Sequence, residues 1–217
     1  MSVIGNYVHR EGRAMPTQSS VHFFLNWTKE RIDEMDATLA SLEGKLAEMG
    51  PESRAKADQF ISDLRQKRTE FESTVKKQGE EGEAAWETTK ARLESQWKSF
   101  ETEIEKYFET FGKDIKQQQA VFQSQVTAQM NAWRETTDKF HAAAADFASE
   151  RRKDIDATVS RMRAEAAAAQ DKLQKLAGAG TESWSALSTA LAKTRAVFDR
   201  ANQTAREAFK RATDSAQ

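Results

Sequence analysis

The chain has 217 residues, of which 31% are charged and only 38% hydrophobic, with a formal net charge of −1. That composition suits long helices that each bury one stripe, and it lacks the basic surplus of a nucleic-acid binder. The absence of cysteine excludes disulfides, thiolate chemistry and cysteine-type zinc sites.

Residues 1–19 carry Gly5, Gly12 and Pro16 without periodicity and read as a flexible tail. Met15 before Pro16 offers a second start site, so the start stays open between Met1 and Met15. Val21 to Trp27 is too short for a secretory signal core. No apolar run approaches the roughly 20 residues that span a bilayer. A cytoplasmic protein is expected, at most peripheral to a membrane or granule.

Residues 20–78 read as two helices broken at Gly50-Pro51, with Ser19 or Ser20 as the first cap. Leu25, Thr28, Ile32, Met35, Leu39, Leu42, Leu46 and Met49 alternate spacings of three and four, a heptad seam. Glycine past one helix and proline opening the next form a stop-and-restart signal. Ala57, Ile61, Leu64, Phe71 and Val75 continue the seam with Arg68 interrupting it, and Gly79 to Gly82 predicts a loop.

From Trp86 the period changes to eleven. Leu93, Ile104, Ile115 and Val126 form one series. Trp86, Trp97, Phe108, Gln119 and Met130 form a second, and Phe100, Phe111, Phe122 and Trp133 a third. Eleven residues in three turns lie close to the relaxed helix, so the phase predicts a nearly straight spiral. Gly112 reads as a tolerated helix glycine within it. Phe140 and Phe147 follow at spacings of seven, and Ile155, Val159, Met162, Ala166, Ala169, Leu173 and Leu176 resume the heptad. One central amphipathic helix is therefore expected over 83–177, on the order of 140 Å long if unbroken, with a bend or break expected near residue 150. A final helix over 182–212, capped by Thr181 or Ser183, carries Trp184, Leu187, Leu191, Thr194, Phe198, Ala201 and Ala205. The expected fold is all-α, an elongated helical bundle or coiled coil with heptad and eleven-residue segments.

The repeated positions point within about 60° of one another, a stripe narrow enough for a helix–helix seam. Gln96, Tyr107, Gln118 and Gln129 flank it, which favours packing on helices over insertion into lipid. The expected contact residues are Trp86, Leu93, Trp97, Phe100, Ile104, Phe108, Phe111, Ile115, Phe122, Val126, Met130 and Trp133. Rings of this size suit three or more helices or a membrane-interface belt. Acidic residues crowd 80–109 and basic ones 151–175, which reads as solvated faces with local ion pairs.

No catalytic constellation is found. Asp138 and His141 have the spacing of a di-metal carboxylate motif but lack the second pair such sites need. No glycine-rich phosphate loop or nucleophile elbow occurs. Arg151-Arg152-Lys153 is the one tight basic run, and Asp154 follows at once. No enzymatic activity, cofactor, metal, small-molecule substrate or nucleic acid is expected.

Ala85 to Phe100, with Trp86, Trp97 and Phe100, resembles the Trp-containing repeat of small bacterial stress-associated coiled-coil proteins. Ser183-Trp184-Ser185-Ala186-Leu187 echoes its start, but Arg195 stands where the second tryptophan would be. In composition the chain is also similar to phasins, which coat polyester granules, and in its eleven-residue repeat it is similar to apolipoprotein-like helices. The expected function is that of a non-enzymatic coiled-coil scaffold acting by self-association or partner binding. The alternative is an amphipathic coat or peripheral binder of a membrane, lipid or polyester-granule surface.

Overall fold

A computed structural model describes residues 20–81, 86–111, 115–179 and 183–214. These form six α-helices packed together, with no strand among the described residues. They are α1 (Ser20–Glu43), α2 (Pro51–Glu81), α3 (Trp86–Phe111), α4 (Ile115–Ala144), α5 (Ser149–Ala179) and α6 (Trp184–Asp214). A short 3-10 turn, Leu46–Glu48, joins the first two.

Contacts between side chains give the direction of each helix. On α1, Lys29, Glu34 and Thr38 meet Glu135, Gln129 and Gln125 of α4, so the two run antiparallel. Phe60 and Lys67 of α2 meet Tyr107 and Ser99 of α3, also antiparallel. Trp133 and Phe140 of α4 meet Phe198 and Phe209 of α6 in the same order, hence parallel. Successive helices therefore alternate in direction. The helix α1 lies against α2, α4 and α6 at the centre of the array.

Local chemistry sets the ends. Pro51, with its fixed φ and no N–H to satisfy, opens α2 directly after Gly50. At the end of α4, Ala145, Asp146 and Phe147 donate their N–H groups three residues back, a tightening that ends the helix before Ser149. Ser183 Oγ accepts from Ala186 N at 3.4 Å and caps α6.

Three expectations need correction. The first helix ends at Glu43, so Leu46 packs on the core from the 3-10 turn and Met49 from the residue after it, and Leu25 is 47% exposed. The second runs through Gly79 to Glu81 without the predicted break, and Gly82 lies outside the described residues. The single helix over 83–177 is three helices. Glu101 and Phe108 of α3 meet Arg195 and Trp184 of α6 in antiparallel order, whereas α4 runs parallel to α6. The chain thus reverses between Phe111 and Ile115, which was not expected, and again between Ala144 and Ser149, beside the place expected for a bend or break. Gly112, expected to be helical, lies outside the described residues, as does the tail over 1–19. The eleven-residue phase misled because periodicity records which side of each helix is buried, not whether consecutive turns are joined. Folding back lets one chain close its own seam, so a rod awaiting a partner loses to intramolecular burial of the same rings.

Candidate functional site

The expected contact residues fill the chain's own core. Leu93, Trp97, Phe100, Ile104 and Phe108 on α3 and Phe122, Val126, Met130 and Trp133 on α4 are all buried. Phe111 is partly buried, and Ile115 is 46% exposed. Trp86 begins α3, but its side chain lies outside what is described. The rings interlock: Phe108 sits 4.5 Å from Trp184 and Trp133 5.4 Å from Phe198, centroid to centroid. The buried members of this set are thus satisfied within the chain.

The less expected feature is a charged cluster inside that core. Glu30, Arg31 and Glu34 of α1 and Arg195 of α6 are all buried. Arg31 forms a two-pronged pair with Asp199 (Nη1 to Oδ1 2.9 Å, Nη2 to Oδ2 2.8 Å), also pairs with Glu30, and lies 4.3 Å from the Trp27 ring centroid. Arg195 Nη1 donates to Glu101 Oε1 at 2.7 Å, and its guanidinium lies 4.7 Å from the Trp97 ring centroid. Gln129 Nε2 donates to Glu34 Oε1 at 3.0 Å and to the Leu191 carbonyl at 3.3 Å. Arg195 Nε lies 3.3 Å from Glu34 Oε1 without the alignment of a hydrogen bond. Glu34 Oε2, Gln125 Oε1 and Gln129 Oε1 are buried without a hydrogen-bond partner.

Four carboxylates (Glu30, Glu34, Glu101, Asp199) thus share two guanidiniums. Burial, opposed by Arg195 and Arg31, pushes the Glu34 pKa up to about 7. Burial likewise holds Glu30 well above the usual carboxylate range against the pull of Arg31. For Arg31, burial works against the cation but is outweighed by Glu30, Asp199 and Glu34, and its pKa rises. The cluster is a structural clasp between α1, α3, α4 and α6. Its central carboxylate is sealed from solvent and so poorly placed to meet a substrate. Sequence periodicity missed it because polar residues on a seam break the pattern. One signal was present: Arg195 occupies the place where the Trp184 repeat calls for a second ring, and the structure stacks it on Trp97 instead.

Among the described residues no group of three metal-ligating side chains occurs. Asp138 is taken by Arg163 of α5 at 3.1 Å, and His141 lies 3.9 Å from Asp156. No helix among the described residues is long and apolar enough to cross a membrane.

The surface offers a different feature. Between α5 and α6 runs a groove of about 860 Å³. Ala169, Leu173, Leu176, Ala190 and Val197 line its apolar floor, and Lys172, Lys175, Lys193 and Arg200 stand along it. A smaller cleft of about 240 Å³ continues it past Glu165 to Arg161 and Thr204. Compared with known proteins, the chain matches no family model, and neither a curated protein nor a solved structure resembles it significantly.

Proposed function

We propose that the protein is a non-enzymatic helical scaffold that works by holding a partner protein on the outer face of α5 and α6. The observation behind this reading is the α5–α6 groove, an open cleft with an apolar floor and a polar rim. Contiguous apolar surface rimmed by polar groups is characteristic of interaction sites. The amphipathic coat is less well supported. Opening the helices onto lipid would carry Glu30, Arg31 and Glu34 on α1 and Arg195 on α6 toward an apolar phase, at several kcal/mol per ion.

A photo-crosslinking residue at Ala190, in the groove, tests the reading against one at Ala55, exposed on α2. In cells producing the protein, Ala190 is expected to give a discrete adduct with one protein, identifiable by mass spectrometry and reconstituted from purified components. Adducts that are absent, or equal from both positions, would refute the scaffold.

A further inference from the structure

Resting on that contact reading, we infer that the groove between α5 and α6 receives an acidic amphipathic helix of the partner. The two helices are antiparallel, tied at one end by Arg211 and Asp154 at 2.6 Å. The lining runs from Glu165 to Leu176 on α5 and from Ala186 to Arg200 on α6. At about 1.5 Å per residue this α5 wall is about 17 Å long, or three helical turns. Alanines on both walls leave room for a third helix to approach, and apolar anchors spaced three and four apart fit such a floor.

Charge decides the kind of helix. Lys172, Lys193 and Arg200 flank the floor, with Arg161 in the continuing cleft, and none of the four forms an ion pair among the described residues. Lys175 pairs with Asp171 at 2.7 Å. Glu165 is the one carboxylate in the lining. Some cations elsewhere on the surface are neutralised one turn away, as in Lys90 with Glu94, and others, such as Arg54 and Lys56, are not; the groove differs in setting its unpaired cations on both walls of one apolar floor. Unpaired cations on both walls therefore call for carboxylates on both flanks of the occupant. A second copy docking through the same face would set one basic rim against another. Residues 1–19 carry Arg10, Arg13 and His9 against Glu11 alone, the wrong sign for the site. A flat lipid surface would rest on the ridges and leave the floor unfilled.

The test uses labelled peptides of about four helical turns with leucine at heptad positions. One has glutamate flanks, one lysine flanks, and one the glutamate composition scrambled. Binding is followed by fluorescence anisotropy, and each protein variant is checked for unchanged helicity. The glutamate-flanked peptide should bind at least about tenfold more tightly than the other two, a difference of about 1.4 kcal/mol. Lys172→Glu with Lys193→Glu should reverse the order, and Ala190→Trp should abolish binding. Equal binding of the two flanked peptides, or an order unchanged by the charge reversal, overturns the inference. So does binding to phosphatidylglycerol vesicles that is lost in Ala190→Trp while no peptide binds. A crosslink from Ala190 that persists alongside such a failure leaves the scaffold standing and removes only the acidic helix. Loss of the crosslink with the peptide order intact does the opposite.

Discussion

Replacing Glu34 by glutamine should flatten the dependence of stability on pH. Glu34 is fully buried, with Oε1 receiving Gln129 Nε2 at 3.0 Å and Oε2 unpartnered. Its charged neighbours are Glu30 and Arg31 on α1, Glu101 on α3 and Arg195 on α6. Burial raises its pKa from an ordinary 4.5 to about 7. The folded protein thus keeps a proton that the unfolded chain has lost. The stability this contributes is fully present below pH 4.5 and is lost as pH rises through about 7. At about 1.4 kcal/mol per pH unit, the loss is about 3 kcal/mol. Glutamine keeps the shape and the acceptor for Gln129 and has nothing to deprotonate. Its amide nitrogen replaces the unpartnered Oε2, at a cost of about 1 kcal/mol or more. Urea denaturation followed by circular dichroism, at intervals between about pH 4.5 and pH 8, should show wild type losing stability across the range. Glu34→Gln should lose clearly less and gain on wild type by about 1–2 kcal/mol at the upper end. Glu30 acts with the same sign, so a residual slope should survive until Glu30→Gln is added. Parallel curves for wild type and Glu34→Gln would refute the reasoning.

Arg31→Ala removes the partner of Asp199 and Glu30 at once and should cost about 3–5 kcal/mol in urea melts at neutral pH. Trp133→Ala empties a fully buried site against Phe198 and should cost about 3–5 kcal/mol, read as a lower denaturation midpoint. Leu25→Lys, although at a heptad position, should change stability by no more than about 0.5 kcal/mol, because its side chain already faces solvent.

Much of the helix content was legible because it rests on local chemistry. Proline after glycine at 50–51 marks a real boundary, and Met35, Leu39, Leu42, Ile61, Leu64 and Phe71 keep seam spacing and are buried. Connectivity was not legible. The series of Leu93, Ile104 and Val126 holds its phase across the reversal after Phe111, so a period count alone joins two antiparallel helices into one. Tyr107 and Gln129, assigned to the polar flank, are buried, because α3 touches both α2 and α6 and α4 is packed by α1, α5 and α6. A helix with several neighbours buries a wider arc than a two-stranded seam does. The α5–α6 groove was invisible for a related reason. Ala169, Leu173, Ala190 and Val197 belong to ordinary amphipathic stripes on their own helices, and only the pairing of the two leaves a strip uncovered.

The buried cluster bears on why these helices adopt one arrangement among many. Stripes of Leu, Phe and Ala are largely interchangeable, and apolar contact alone discriminates poorly between registers. Arg31 needs Asp199, Glu34 needs Gln129, and Arg195 needs Glu101, contacts that tie α1 to α6, α1 to α4 and α6 to α3. Sliding any one of them by a heptad, about 10 Å, would strand a charge or an amide in the core. The apolar stripes therefore supply most of the driving force, while the ions contribute little net stability and exclude the alternatives. That division explains how an outer face can remain open. With register fixed at α1, α3, α4 and α6, the exposed Lys172, Lys193 and Arg200 along the α5–α6 groove take no part in the clasp and can be shaped by what binds there.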